Sequence, residues 1–264
     1  MGQVKERARG SPGEPSKGTG WKSGAAMDHY FFRKPSMNLK WSMIMVSLGL
    51  WFLAAVPGAG AGGEQVVKLP PPALTGAVSV EEALKARRTV RDFIGRSLDL
   101  SQISQLLWGA DGVSDPRGLR TAPSAGATYP LEIYLVAGER AVADLPAGVY
   151  RYRVLEHVLE VGLAGDLRQA VARASLRQFW MGEAPVMVVI AAVYRRCTAR
   201  YGERGIMYTH MEAGNVSQNL FLQAKALGLG AGIVGAFEDR DLAQTLGLPQ
   251  EQVPLLVMPV GYKR

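Results

Sequence analysis

The chain has 264 residues, 48% of them hydrophobic and 20% charged, a balance that can bury a sizeable core and excludes a disordered or fibrous protein. Its net charge of +7 is concentrated at the start, where residues 1–40 carry eight basic and three acidic side chains. The rest is left at about +2, too little for a nucleic-acid footprint. Cys197 is the single cysteine, which excludes an intrachain disulfide. The three histidines, His29, His157 and His210, are scattered with no metal-ligand spacing, so no metal site is expected.

Residues 1–40 read as a basic disordered tail, because Gly, Ser, Pro and charge cannot bury enough apolar surface to order themselves. The apolar run from Trp41 to Val56 follows Lys40 and precedes small residues that include Ala59-Gly60-Ala61. That layout over 41–61 is a secretory signal peptide, with a retained membrane anchor as its rival and a start at Met27 or Met37 as a third reading. No cysteine stands directly after the run, which excludes a lipid-modified N-terminus at that point, and Arg33-Lys34 is not a twin arginine. The expected location is therefore exported, or anchored to the membrane by residues 41–56. Residues 62–78, with Pro70-Pro71-Pro72, read as a Pro-rich linker into one domain over 79–264.

Within the domain, Ser79 and Glu82 have capping-box spacing for a short helix that ends at Ala86-Arg87-Arg88-Thr89-Val90-Arg91. Asp99 to Ala110 repeats apolar residues at helical spacing, and Asp111 to Pro130 is a loop. Strands are expected at Leu131–Ala137, Val149–Val154 and Val158–Val161, with His157 exposed in the turn between the last two. Leu167–Ser175 is helical, and Pro185–Ala192 is apolar throughout, as in a strand buried on both faces. Gly205–Leu227 is the longest helix, with Met211, Ala213 or Gly214, Val216 or Ser217, Leu220, Ala224 and Leu227 inward. A short helix at Asp239–Leu246 and a strand at Val253–Val260 complete a mixed α+β order.

Two stretches carry chemistry. Arg87, Arg88 and Arg91 with the Thr89 hydroxyl suit a phosphate, since guanidinium groups stay charged and offer a planar fork of donors. The same residues also fit a solvated helix end. Thr121 to Pro130 is built of small residues that let backbone and a serine hydroxyl approach a ligand, or else it is a plain connection. Gly228–Phe237 has a glycine pattern, but it follows a helix and leads into a strand, the reverse of a dinucleotide-binding turn.

Taken in order, Arg87-Arg88-Thr89-Val90-Arg91-Asp92-Phe93, Pro123 to Pro130, Glu212 to Leu220 with Leu227-Gly228-Leu229-Gly230, and Val260-Gly261-Tyr262 resemble the nitroreductase-like flavoenzymes, in particular their SagB-type azoline dehydrogenase branch. The resemblance implies an α+β fold, a mixed central sheet flanked by helices, in an intertwined homodimer that binds FMN. It implies that Arg87, Arg88 and Thr89 hold the FMN phosphate and ribityl chain, that Arg91 lies near the phosphate or the N1/O2 edge of the ring, and that Pro123, Ser124, Ala125 and Gly126 reach the flavin from the partner subunit. Gly232, Ile233, Val234 and Gly235 would line the ring with backbone donors, and Lys263 and Arg264 would add phosphate contacts. Tyr129, Tyr208 and His210 are candidates for the substrate pocket, or structural residues.

The expected activity is FMN-dependent oxidoreduction, with hydride transfer to or from flavin N5 in two half-reactions, on a small-molecule or peptide substrate. Such chemistry needs positioning more than a protein acid or base, so no catalytic side chain is named. An exported protein would meet a quinone, another carrier or oxygen rather than free NAD(P)H, whereas an anchor with the domain inside leaves NAD(P)H-driven reduction of nitro or quinone compounds open. The alternative is a flavin-binding or accessory subunit of a larger assembly, without turnover of its own.

Overall fold

The protein is described by a computed structural model over residues 65–264; the expected tail and signal or anchor segment lie outside the described residues. Helices form where a start signal meets an apolar stripe. In α1 (Val80–Ala86) the Ser79 hydroxyl accepts from the Glu82 amide, and α2 (Leu100–Asp111) opens with a full capping box between Asp99 and Gln102. Each cap contributes about 1 kcal/mol.

Seven strands follow the pattern of apolar alternation and apolar runs. They are β1 (Val66–Lys68), β2 (Leu131–Ala137), β3 (Gly148–Arg153), β4 (Val158–Ala164), β5 (Val186–Ala192), β6 (Gly230–Ala231) and β7 (Val253–Gly261), in the order β1-β4-β3-β2-β5-β7-β6. All six ladders are antiparallel. Among the described residues, parallel pairing, the expected mixed element, is limited to two isolated bridges, Thr89 to Ala231 and Leu98 to Val142.

Every residue of β2 and β5 is buried, and side chains alternate across a strand, so these two strands serve two cores. On one face Ile133, Leu135, Val188 and Ile190 pack with Ile103 and Leu107 of α2 and with Val216 and Leu220 of α5 (Arg204–Ala226). On the other, Val136, Met187 and Val189 pack with Val171 of α3 (Arg168–Ala174) and with Leu242 and Leu246 of α6 (Asp239–Leu246). Helices thus cover both faces of one sheet.

Four local expectations change. Residues 66–68 of the expected linker are an edge strand paired with β4, and the Pro70 carbonyl beyond them accepts from Ser104 Oγ at 2.5 Å. His157 is not an exposed turn residue. Its ring lies 2.8 Å from Tyr152 Oη, 2.8 Å from Ser104 Oγ and 3.0 Å from the Pro70 carbonyl, which draws it inward. On α5 the expected inner face holds at Ala213, Val216, Ser217, Leu220 and Ala224, but Met211 is 55% exposed and Glu212, at 2% exposed, takes the inward place at that turn. A helix that no stripe announced, α4 (Tyr194–Tyr201), buries Cys197 and packs on α5. Among the described residues, no helix is long and apolar enough to cross a membrane.

Candidate functional site

The end of α1 and the end of α5 converge on a pocket of about 140 Å³. Arg87, Arg88, Lys225 and Lys263 line it, together with Phe221 and the backbone from Gly228 to Ala231, and no acidic residue does. Arg87 lies 5.0 Å over the Phe221 ring, and Arg88 folds back to donate to the Lys85 and Arg87 carbonyls. The latter is the usual way a basic side chain satisfies a helix end. Thr89 is exposed and bridges Ala231. Arg91 stands apart from the lining, 5.8 Å over the Trp180 ring. Arg264 also points elsewhere, its Nε 3.0 Å from Asp92 Oδ1.

The glycine stretch runs directly beside this segment. Gly230 and Gly232 are required by closeness, because a Cβ there would come within 2.8 Å of the Val90 side chain and the Val90 carbonyl, respectively. Sheet pairing takes part of the expected donor set. Gly232 N–H donates to the Pro259 carbonyl and Val234 N–H to the Val257 carbonyl, each at 2.8 Å. Alternate N–H groups of an extended segment point the other way, which leaves Ile233 and Gly235 to present theirs away from β7.

The loop from Thr121 to Pro130 is a separate feature. Gly126, Ala127 and Tyr129 all have positive φ, and for the last two this costs about 1 kcal/mol or more each. Neighbours hold that strained path. Ser124 Oγ accepts from the Tyr129 amide at 2.9 Å, Gly126 O accepts from Arg200 at 3.2 Å, and Tyr129 O accepts from Arg196 at 3.1 Å. Tyr201 Oη crowds the place where a Gly126 side chain would begin. Pro123 is exposed, while Ser124 and Ala125 are half-buried.

Under the loop lies a buried charged cluster that no sequence pattern announced. Arg120 Nη1 donates to Asp111 Oδ2 at 2.6 Å, and its guanidinium covers the Tyr129 ring at 4.2 Å. Burial pushes the Asp111 carboxyl up to about 6 against the pull of Arg120, and pushes Glu212 up to about 7. The Ser124 hydroxyl, beside Glu212, lowers the latter in part, yet neither Glu212 oxygen reaches hydrogen-bond geometry. The hint in the sequence is that Glu212 opens one of the stretches carrying the family resemblance, although the apolar stripe of the helix places Met211 rather than Glu212 inward.

The expected site residues therefore form two main groups, with Arg91, Arg264, Tyr208 and His210 outside both. The loop and Glu212 belong with one part of α5, and Phe221 with the basic pocket lies nine residues further on, roughly 13 Å of helix. Tyr129 is packed under Arg120. Tyr208 meets Tyr201 edge-on at 5.2 Å, whereas His210 hydrogen-bonds Tyr194 Oη at 2.6 Å. Two residues apart on a helix, Tyr208 and His210 face different sides and do not share a pocket.

Residues 84–262 match the family model described as the nitroreductase family. MJ1384 of Methanocaldococcus jannaschii, which is named as a nitroreductase, is 44% identical over 186 residues, covering 70% of this chain and 92% of that one. A Ralstonia eutropha protein of the same designation has a crystal structure that superposes with TM-score 0.68 at 31% identity, covering 76% of this chain and 90% of the other. Escherichia coli McbC, a microcin B17-processing protein, is 31% identical over 173 residues, which is 62% of each chain. The solved McbBCD synthetase complex with truncated pro-MccB17 bound matches with TM-score 0.61 and 26% identity, covering 81% of this chain and 84% of that one. The last two likenesses support the SagB-type branch. A family match over most of the described residues, on an α+β fold shared with these relatives, places the chain in the nitroreductase family.

Proposed function

We propose that residues 79–264 form an FMN-dependent oxidoreductase of the SagB type. The observation that carries this reading is the pocket of about 140 Å³ ringed by Arg87, Arg88, Lys225 and Lys263 without an acid. It is smaller than the ~300 Å³ at which whole-ligand sites begin, so it suits a charged end group such as the FMN phosphate. The residues fit the cofactor at this end. Arg87, Arg88 and Lys263 would hold the phosphate, with Lys225 added to the set expected from sequence. Thr89, Ile233 and Gly235 remain able to donate to the rest of the molecule. Bound FMN supplies hydride acceptance and return at its N5.

The Ser124–Gly126 loop lies with a different part of α5, so the reading assigns its contact to a second copy in a homodimer. An apolar strip on α5 supports such pairing, since Ile206, Met207 and Met211 are exposed at 43%, 41% and 55%. The likeness to a microcin-processing protein supports a peptide as substrate, with small organic compounds as the wider class. The apolar segment at 41–56 supports export or anchoring, and through it the only contact with a membrane. Export in turn favours a quinone or oxygen as electron acceptor. An accessory flavin-binding subunit without turnover is the alternative. Stopped-flow mixing separates the two, because only an enzyme reoxidises its reduced flavin with substrate.

The test of the site is Arg87→Ala combined with Arg88→Ala. Each charge-assisted hydrogen bond contributes about 1.5–3 kcal/mol, so the pair should weaken FMN binding by roughly 10²–10⁴-fold. A double variant that purifies with full FMN content would overturn the assignment.

A further inference from the structure

A second pocket opens where α1, α2 and α5 meet the segment that follows the first strand. Its volume is about 340 Å³, above the ~300 Å³ at which whole-ligand sites begin, and no charged side chain lines it. Trp108 of α2, Leu222 and Ala226 of α5, and Val80 and Ala83 of α1 supply apolar walls. Gln105, Asn219 and Gln223 bring three side-chain amides. α1 contributes to both pockets, Val80 and Ala83 to this one and Ala86 to the basic one, whereas the glycine stretch lines only the latter.

Backbone groups fix how these amides point. The Ala73 amide donates to Gln105 Oε1 at 2.8 Å, and the Ala73 carbonyl accepts from Gln105 Nε2 at 3.1 Å. Gln105 Nε2 gives its other hydrogen to Gln223 Oε1 at 3.2 Å, which leaves the two N–H donors of Gln223 Nε2 unspent. Asn219 is set in the same way. The Ala110 and Thr121 carbonyls lie 3.5 and 3.3 Å from its Nδ2, and because carbonyls only accept, Oδ1 faces away from them. Among the described residues no group meets Gln223 Nε2 or Asn219 Oδ1, and neither atom is sealed in the interior. Gly109 makes room for this arrangement, since a Cβ there would come within 2.9 Å of the Gln223 side chain.

An unspent donor and an unspent acceptor in an uncharged pocket are the complement of a peptide backbone. Asn219 and Gln223 are one turn apart on α5, with Cβ atoms about 5–6 Å apart, close to the roughly 6.6 Å at which groups recur along one edge of an extended chain. Gln105 already shows the mode, because its amide grips both backbone groups of Ala73. We propose that this pocket is a recognition site for an extended, uncharged peptide segment. The peptide carbonyl accepts from Gln223 Nε2, its N–H donates to Asn219 Oδ1, and an apolar side chain lies against Trp108 and Leu222. A charged side chain would lose hydration there and find no counter-ion. The inference rests on the proposed peptide substrate only for the use to which the site is put.

The test titrates the isotope-labelled full chain with the blocked peptide acetyl-Ala-Leu-Ala-Ala-amide, followed by nuclear magnetic resonance. The side-chain amide signals of Asn219 and Gln223 should shift together and saturate. Gln223→Leu and Asn219→Leu should each weaken binding by roughly 2–10-fold, the worth of one neutral hydrogen bond, with FMN content unchanged. The acidic counterpart acetyl-Ala-Glu-Ala-Ala-amide should bind at least about tenfold more weakly. Absent shifts, variants that bind like the wild type, equal binding of the acidic peptide, or shifts produced by nicotinamide alone would each overturn the proposal. The readout needs no flavin. Peptide shifts in a protein that takes up no FMN would sink the flavin reading and leave this site standing, and absent shifts in a flavin-loaded protein would do the reverse.

Discussion

The Val90 amide donates to the Ala231 carbonyl at 2.8 Å, and this bond holds the arginine segment against the glycine segment. Gly232 is the next residue, and a Cβ there would meet the Val90 carbonyl at 2.8 Å. Because the obstacle is backbone, it cannot swing aside. Gly232→Ala should destabilise the fold by about 1–3 kcal/mol, as overpacking does, and lower FMN occupancy with it. Gly235→Ala is the control, with its nearest neighbour at 3.8 Å and room for a methyl. Thermal denaturation of the two variants checks the contrast, and equal melting behaviour would refute it.

The buried acids set a pH dependence of stability. Glu212 is raised from 4.5 to about 7 and Asp111 from 3.8 to about 6, both chiefly by burial. Between the unfolded and folded values the native state binds a proton that the unfolded chain has released, so stability falls as pH rises. The loss begins near the unfolded values and is complete above about 7. For Glu212 alone it amounts to at most about 3 kcal/mol. Urea unfolding from pH 5 to 8 should show the decline in the wild type and a shallower one in Glu212→Gln; a slope left unchanged by the substitution would count against it.

His157 acts in the opposite sense. The Pro70 carbonyl can only accept, which places the imidazole proton on Nε2 and leaves Nδ1 of the neutral ring to accept from the Tyr152 hydroxyl, so the ring latches the first strand to the sheet. Burial lowers its titration, and stability is therefore lost as pH falls through the ordinary histidine range. His157→Ala should cost about 1–3 kcal/mol in lost hydrogen bonds and speed amide exchange at Val67 and Lys68. Unchanged exchange would show that the strand holds without the latch.

The proposed pairing of two chains can be tested on the outer face of α5. Met207→Glu with Met211→Glu would place two charges on exposed apolar positions and should convert a dimer to monomers in sedimentation, with loss of FMN. A variant that sediments like the wild type would remove this face from the interface. Both residues are exposed in the single chain, so the fold itself should survive.

Capped and amphipathic elements were legible from sequence. Ser79 and Asp99 announce α1 and α2, and the unbroken apolar run at 186–192 announces a strand inside two cores. Elements without a stripe were not. α4 reads Tyr-Arg-Arg-Cys-Thr-Ala-Arg-Tyr and buries only Cys197, and β1 is three residues before a proline run. In the site, the basic pocket was readable because Arg87 and Arg88 are adjacent, but Lys225 reaches it only through the fold. Glu212 and His157 were missed for one physical reason. Their burial depends on partners such as Ser124, 88 residues from Glu212, and Pro70, 87 residues from His157, and no local period encodes contacts of that range. The one-residue error at Met211 is about 100° of rotation on a helix, enough to exchange an inward residue for an outward one.

The most direct measurement is the absorbance spectrum of the purified protein, with the released chromophore identified by mass and apoprotein titrated with FMN. The account predicts a yellow protein holding about one FMN per chain, seated at the pocket of Arg87, Arg88, Lys225 and Lys263. A colourless protein that takes up no added FMN would contradict it.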